Sequence, residues 1–119
     1  MTFTQEQTTT AIRAAVAKRG RNFVNDKEID GIGTCQYVWD GRPSCIVGNV
    51  MAYLGMDLDT LSNNEGDSAH AAFSQYFDYD TLWALNLAQE VQDKREPWGA
   101  ALAAYESRIS RGDHFRLGY

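Results

Sequence analysis

The chain has 119 residues, a hydrophobic share of 44% and a formal net charge of −5. This length and composition are typical of a single compact domain, which we expect to span residues 1–119. Eight acidic residues and no lysine or arginine lie between residues 43 and 93. A negative field over half of the chain argues against nucleic acid and anionic lipid as partners, and it favours a basic protein surface.

Two further features predict where the protein works. No apolar stretch approaches the roughly 18–20 residues that span a bilayer, and the first residues lack the basic and apolar regions of a secretion signal. The sequence therefore predicts a cytoplasmic protein with no membrane contact. In a reducing cytosol we expect Cys35 and Cys45 to be free thiols that pack as small hydrophobic side chains. A disulfide between them would need Cα atoms within about 7 Å.

The first predicted element is an amphipathic helix over residues 11–18. Ile12, Ala15 and Val16 share one face of this helix, at spacings i, i+3 and i+4. Threonines at positions 8–10 offer capping hydroxyls, and Gly20 can adopt the left-handed conformation that ends a helix.

A small β-element is predicted next. Residues 34–39 are β-branched and aromatic, which favours a strand, and the turn signal Asp40-Gly41 follows them. Because only Arg42 separates this turn from Pro43, we expect the second strand to lie before the turn, within residues 22–30. The prediction is a two-stranded element near residues 22–40.

The rest of the chain predicts further helices. A helix over residues 44–54 follows Pro43 and contains Gly48, which indicates that another backbone or a ligand comes close at that point. The acidic stretch 56–67 is predicted to be a surface loop. Apolar periodicity then predicts helices over residues 68–77, 78–94 and 97–112. The predicted fold class is α+β, mainly α, with about five helices.

Potential ligands and nucleophiles do not form a recognisable site. Cys35, Cys45, His70 and His114 are separated by ten or more residues, whereas zinc ligands usually come in closely spaced pairs. The acidic loop also fails the ligand spacing of an EF-hand. We therefore expect no metal, no cofactor and no catalytic residue, and the protein is predicted not to be an enzyme.

Two motifs carry a resemblance to a known group of proteins. The stretch 41–55 reads Gly-Arg-Pro-Ser-Cys-Ile-Val-Gly and continues to Leu-Gly, and it resembles the G-x-P-S-C-[IL]-[VI]-G helix of small uncharacterised proteins from actinobacteria and their phages. The stretch 87–102 is similar to their A-Q-x-x-Q-D ending with its later Trp-Gly. The resemblance covers about residues 34–105 and implies a phage origin, but no known reaction. Those proteins often carry histidine at the position of Asn49, so no role transfers to that side chain.

These features lead to one main functional hypothesis. We expect a non-enzymatic phage accessory protein that binds and modulates a host protein through an acidic surface, with Trp83 as a possible aromatic anchor. One alternative is a small-molecule or nucleotide-binding protein with a pocket near Cys45 and Gly48, and a second is a small cysteine-dependent enzyme. A homodimer is compatible with all three. The residues expected to contact the partner are Asp57, Asp59, Glu65, Asp67, Asp78, Asp80 and Trp83.

Overall fold

The computed structural model describes residues 2–25, 36–64 and 68–116, without the side chains of residue 70 and residues 111–116. Their elements confirm the mainly helical α+β class. In chain order they are α1 (Gln5–Arg19), β1 (Val38–Trp39), β2 (Arg42–Pro43), α2 (Ile46–Tyr53), α3 (Leu58–Ser62), α4 (Ala69–Phe73) with a following 3-10 turn (Ser74–Tyr76), α5 (Tyr79–Asp93) and α6 (Trp98–Arg116).

Helix α1 begins six residues earlier than predicted. Thr4 is its N-cap, and a capping box joins Thr4 and Gln7, because each side chain accepts the other residue's backbone N–H. Gly20 ends the helix as expected, with a φ of 98°. The predicted apolar stripe of Ile12, Ala15 and Val16 is buried.

The two-stranded element is present, but the predicted position of its second strand was wrong. Val38–Trp39 pairs with Arg42–Pro43, after the turn and not before it. Asp40 and Gly41 both have positive φ, 53° and 72°, as the tight two-residue hairpin turn requires. Proline is acceptable here because a two-stranded sheet has two edges, and an edge strand does not need every backbone N–H.

Helix α2 packs tightly on the residue that precedes this hairpin. A Cβ built on Gly48 would lie 2.3 Å from the backbone oxygen of Tyr37, so only glycine allows the approach. The prediction that another backbone or a ligand comes close at Gly48 is therefore confirmed, with backbone as the neighbour. The same contact is held by backbone bonds from Ser44 N–H to Tyr37 O and from Cys45 N–H to Gln36 O, at 2.8 and 3.0 Å.

The core lies between α5, α6, α1 and α2. Helices α5 and α6 pack along their length, and α1 packs on α2. The largest fully buried side chains are Trp98, Tyr37, Tyr105 and Phe73. Trp98 begins α6, and its backbone N–H donates to Phe23 O at 2.8 Å, which ties the segment after α1 to this helix.

Two predicted boundaries need correction. The acidic stretch predicted as a loop contains the short helix α3, which Asp57 caps. Helix α6 does not end at Gly112 but continues to Arg116. Within the described ranges, no helix is long and apolar enough to cross a membrane.

Candidate functional site

Two of the predicted contact residues are helix caps. The Asp57 carboxylate accepts the backbone N–H of Thr60 at 2.7 Å, and the Asp78 carboxylate accepts that of Thr81 at 2.8 Å. Capping of this kind satisfies one of the unpaired N–H groups at a helix start. The backbone hydrogen bond from Thr60, followed by the one from its hydroxyl, lowers the pKa of Asp57. Both carboxylates are exposed and charged, so a cap and a partner contact are compatible.

The remaining predicted acids have different surroundings. Asp80 forms an ion pair with Arg108 of α6 at 3.2 Å, and its side chain is only 15% exposed. Asp59 is exposed on α3. Glu65 and Asp67 lie outside the described residues. The predicted acids that the structure describes therefore fall on two helices, and of these only Asp78 and Asp80 accompany Trp83 on α5.

Helix α5 carries an apolar stripe that faces outward. Tyr79, Trp83 and Leu87 are spaced i, i+4 and i+8, so they lie above one another on one side of the helix. The core-facing side is formed by other residues, among them the buried Leu82 and Leu85. The stripe lines a shallow groove of about 380 Å³, which we call the α5 outer groove and define as Tyr79, Trp83, Asn86, Leu87, Glu90 and Arg108.

The aromatic pair in this groove is unequally buried. The Tyr79 side chain is 69% exposed, the largest value among the large hydrophobic residues of the described chain. Its ring meets that of Trp83 edge to face, with centroids 6.2 Å apart and an interplanar angle of 62°. Trp83 is partly buried, and its ring contacts the ring of Tyr79. Edge-to-face contact is one of the favoured geometries for aromatic pairs, so the Trp83 ring helps to position the exposed ring of Tyr79.

Acidic groups border the groove at both ends. Asp78 and Asp80 lie at the start of α5, next to Tyr79. Glu90 lies three turns further along and accepts a hydrogen bond from the Asn86 amide at 3.2 Å. The only cation among the six groove residues, Arg108, is engaged by Asp80. The groove therefore presents an aromatic surface within a predominantly negative border.

Sequence reasoning named Trp83 but missed Tyr79. The signal was present, since Tyr79, Trp83 and Leu87 repeat at helical spacing. At that spacing Trp83 and Leu87 are also compatible with a broad buried face, because periodicity alone does not show how wide that face is. The packing of α6 against α5 decides it, because that packing determines which side chains of α5 are covered.

The residues near which the pocket was predicted, Cys45 and Gly48, are enclosed by the fold. Tyr37 and Cys45 are fully buried, and Gly48 is closed off by the Tyr37 backbone. Asn49 is the exception: it is half-buried and lines a cleft between the end of α1 and the β1–β2 hairpin. This cleft lies beside Cys45 and does not open onto its sulfur.

The expectation of a free thiol was wrong for Cys45, whereas Cys35 lies outside the described residues. Cys45 is disulfide-bonded. The Cys45 sulfur also serves as the N-cap of α2 and accepts the Gly48 N–H at 3.3 Å. A buried sulfur in a disulfide is not available as a thiolate nucleophile, so Cys45 in this bond does not act as one. In the described part of the chain, no three acidic, histidine or cysteine side chains are grouped as metal ligands would be.

Comparisons with protein-family models, with curated proteins and with solved structures give no match to this chain.

Proposed function

We propose that this chain is a non-enzymatic binding protein that contacts a basic partner protein, with the α5 outer groove at the centre of the contact. The resemblance noted above would make it a phage accessory protein, and its partner a host protein that it modulates in the host cytoplasm. Asp57 and Asp59 lie on α3, which packs on α2 and β1, so they would form an acidic contact separate from this centre.

The exposure of Tyr79 carries the proposal. An aromatic side chain that is 69% exposed, and is packed on a second aromatic ring, leaves apolar area in water that a partner would bury. Tyrosine and tryptophan are the residues that most often dominate the energy of protein interfaces, especially near their centre. The neighbouring Leu87 extends the same apolar stripe.

Charge favours a basic partner over a second copy of the chain. In a twofold symmetric dimer the same surface patch would meet itself, so the acidic border of the groove would face its own like charges. The chain also has a net charge of −5, which adds to the repulsion between copies. A basic surface would instead be attracted to Asp78 and Glu90, and association would be faster at low salt.

The test is affinity capture from an actinobacterial host lysate with wild-type protein and two variants. Tyr79→Ala removes the exposed ring of the groove, and Tyr53→Ala removes a tyrosine of α2 that is 59% exposed. We expect one host protein to be retained by the wild type and by Tyr53→Ala at low salt. It should be lost with Tyr79→Ala, and lost from all samples at high salt.

Equal capture by the wild type and Tyr79→Ala would contradict the assignment of the groove. Retention at high salt by every sample would contradict the role of charge. Thermal unfolding of each variant serves as the control that its fold is unchanged, and both tyrosines are exposed enough for that control to be met.

A further inference from the structure

A second surface of the molecule has the opposite charge. The cleft between the end of α1 and the β1–β2 hairpin has a volume of about 710 Å³, within the range of small-molecule sites. Its described lining includes Lys18, Arg19 and Arg42 but only one carboxylate, that of Asp40. On a chain with a net charge of −5, this concentration of cations marks a place where an anion is attracted.

The hairpin places an aromatic ring beside one of these cations. Trp39 and Arg42 are cross-strand partners on either side of the Asp40-Gly41 turn, so their side chains project from the same face of the hairpin. Trp39 is 44% exposed, and both residues line the cleft. A flat ring and a guanidinium on one face can bind a ligand that has both an aromatic ring and an anionic group.

Arg19 is held in position on the opposite wall. Its Nη2 donates to the backbone oxygen of Pro43 at 3.1 Å, which joins α1 to β2. Its guanidinium also lies over the rings of Phe23 and Trp98, at 5.1 and 5.6 Å from their centroids. The bond to Pro43 uses one of the five N–H donors of a guanidinium. A planar cation fixed in this way is well suited to bind phosphate.

The wall that joins the two sides is also ordered by hydrogen bonds. The amides of Asn25 and Asn49 both donate to the backbone oxygen of Ser44, at 3.1 and 3.2 Å. Asn49 additionally donates to Cys45 O at 2.9 Å. These bonds fix the backbone between the hairpin and α2, so the cleft is formed before any ligand binds.

We infer that this cleft binds a mononucleotide, whose base stacks on Trp39 and whose phosphate lies between Arg42 and Arg19. The ligand class follows from the pairing of an exposed indole with two guanidinium groups in a space of this size. The site lies on α1, the hairpin and α2, so it is independent of the α5 outer groove and of the function proposed for it.

The experiment measures equilibrium binding of adenosine, guanosine, cytidine and uridine monophosphates to the protein. Calorimetry and tryptophan fluorescence are the two readouts. Adenosine, which lacks the phosphate, and inorganic phosphate, which lacks the base, are compared with them as partial ligands. A single-stranded oligonucleotide tests whether the cleft binds nucleic acid instead. We expect at least one mononucleotide to bind more tightly than either partial ligand and to quench the exposed Trp39.

Matched variants locate the site. Arg42→Gln should weaken binding by about tenfold or more, the loss expected for one charge-assisted hydrogen bond. Trp39→Ala should weaken it by about fivefold or more through lost stacking, and Trp39→Phe should restore part of that loss. Arg13→Gln removes the same charge from an exposed pair with Glu106 on α1 and α6, and it should leave binding unchanged.

Three results would overturn the inference. The first is no binding of any mononucleotide at about 1 mM, a concentration at which even weak sites are occupied. The second is binding that Arg42→Gln and Trp39→Ala leave unchanged. The third is phosphate or the oligonucleotide binding more tightly than every mononucleotide, which would assign the cleft to a simple anion or to a nucleic acid.

Discussion

Two glutamines on α5 show how the surroundings of a single residue decide its contribution. Gln92 and Gln89 lie about one turn apart, and both are buried. The Gln92 side-chain oxygen accepts the backbone N–H of Ile46 at 2.7 Å, so α5 caps the first turn of α2 from across the core. The Gln89 side-chain oxygen has no hydrogen-bond partner within the described residues.

Replacing each glutamine by methionine should therefore change the free energy of unfolding differently at the two positions. Gln92→Met leaves the Ile46 N–H buried and unpaired, and we expect it to lower the free energy of unfolding by about 1–3 kcal/mol. Gln89→Met removes a buried acceptor that is already unpaired, so it should be neutral or stabilising. Urea unfolding of both variants measures the difference. An equal loss of stability in the two would show that Gln92 does not act as a cap.

The close packing at Gly48 predicts the effect of a single substitution on stability. Gly→Ala at an exposed helical position usually stabilises by about 1 kcal/mol. Here the new Cβ would lie 2.3 Å from the Tyr37 backbone oxygen, and backbone cannot move aside as a flexible side chain can. We expect Gly48→Ala to destabilise the protein by about 1–3 kcal/mol, as overpacking does. An unfolding midpoint equal to or above that of the wild type would contradict this packing.

At the scale of elements, sequence patterns predicted which helices exist better than where they begin. The α1 stripe and the existence of the last two helices were predicted correctly because buried apolar residues repeat at helical spacing. Their starts and ends depend on caps, and the Thr4–Gln7 capping box and the Asp57 cap of α3 were overlooked although both are local. The second strand of the hairpin was misplaced because proline lacks the N–H that most strand residues donate, so Pro43 argued against a strand after the turn. The sequence places Asp78 and Asp80 on the helix of Trp83, whereas the pairing of Asp80 with Arg108 depends on the packing of α6 and could not be obtained from it.

The cap of α3 predicts a measurable pKa. The hydrogen bonds from Thr60 hold the pKa of Asp57 below its usual value of 3.8. The pKa of Asp57 is lower in the folded chain than in the unfolded chain. The cap therefore stabilises the protein fully at pH values above the unfolded-state pKa, and this stabilisation is lost as the pH falls through the folded-state pKa. NMR titration should find Asp57 below 3.8 in the wild type, and nearer to it in Thr60→Val, which keeps the backbone donor but loses the hydroxyl. A wild-type value at or above 3.8 would contradict the cap.

At the scale of the whole molecule, charge is divided between two surfaces that the fold separates. The acids from the central half of the chain include those that border the α5 outer groove, whereas Lys18, Arg19 and Arg42 line the cleft at the hairpin. The acidic side was visible in the sequence as a window without cations. The basic cleft was not, because it forms only when the end of α1 meets a hairpin that lies about twenty residues further along the chain.

The most direct test of the central claim is the salt dependence of binding between the captured host protein and three forms of this chain. Asp78→Asn removes a charge beside the groove and keeps a residue that caps equally well. Glu96→Gln removes a charge beyond the far end of α5, which is about 22 Å long. The account predicts that Asp78→Asn binds more weakly with a smaller salt dependence, and that Glu96→Gln matches the wild type. Equal behaviour of the two variants, or an affinity that salt does not change, would contradict it.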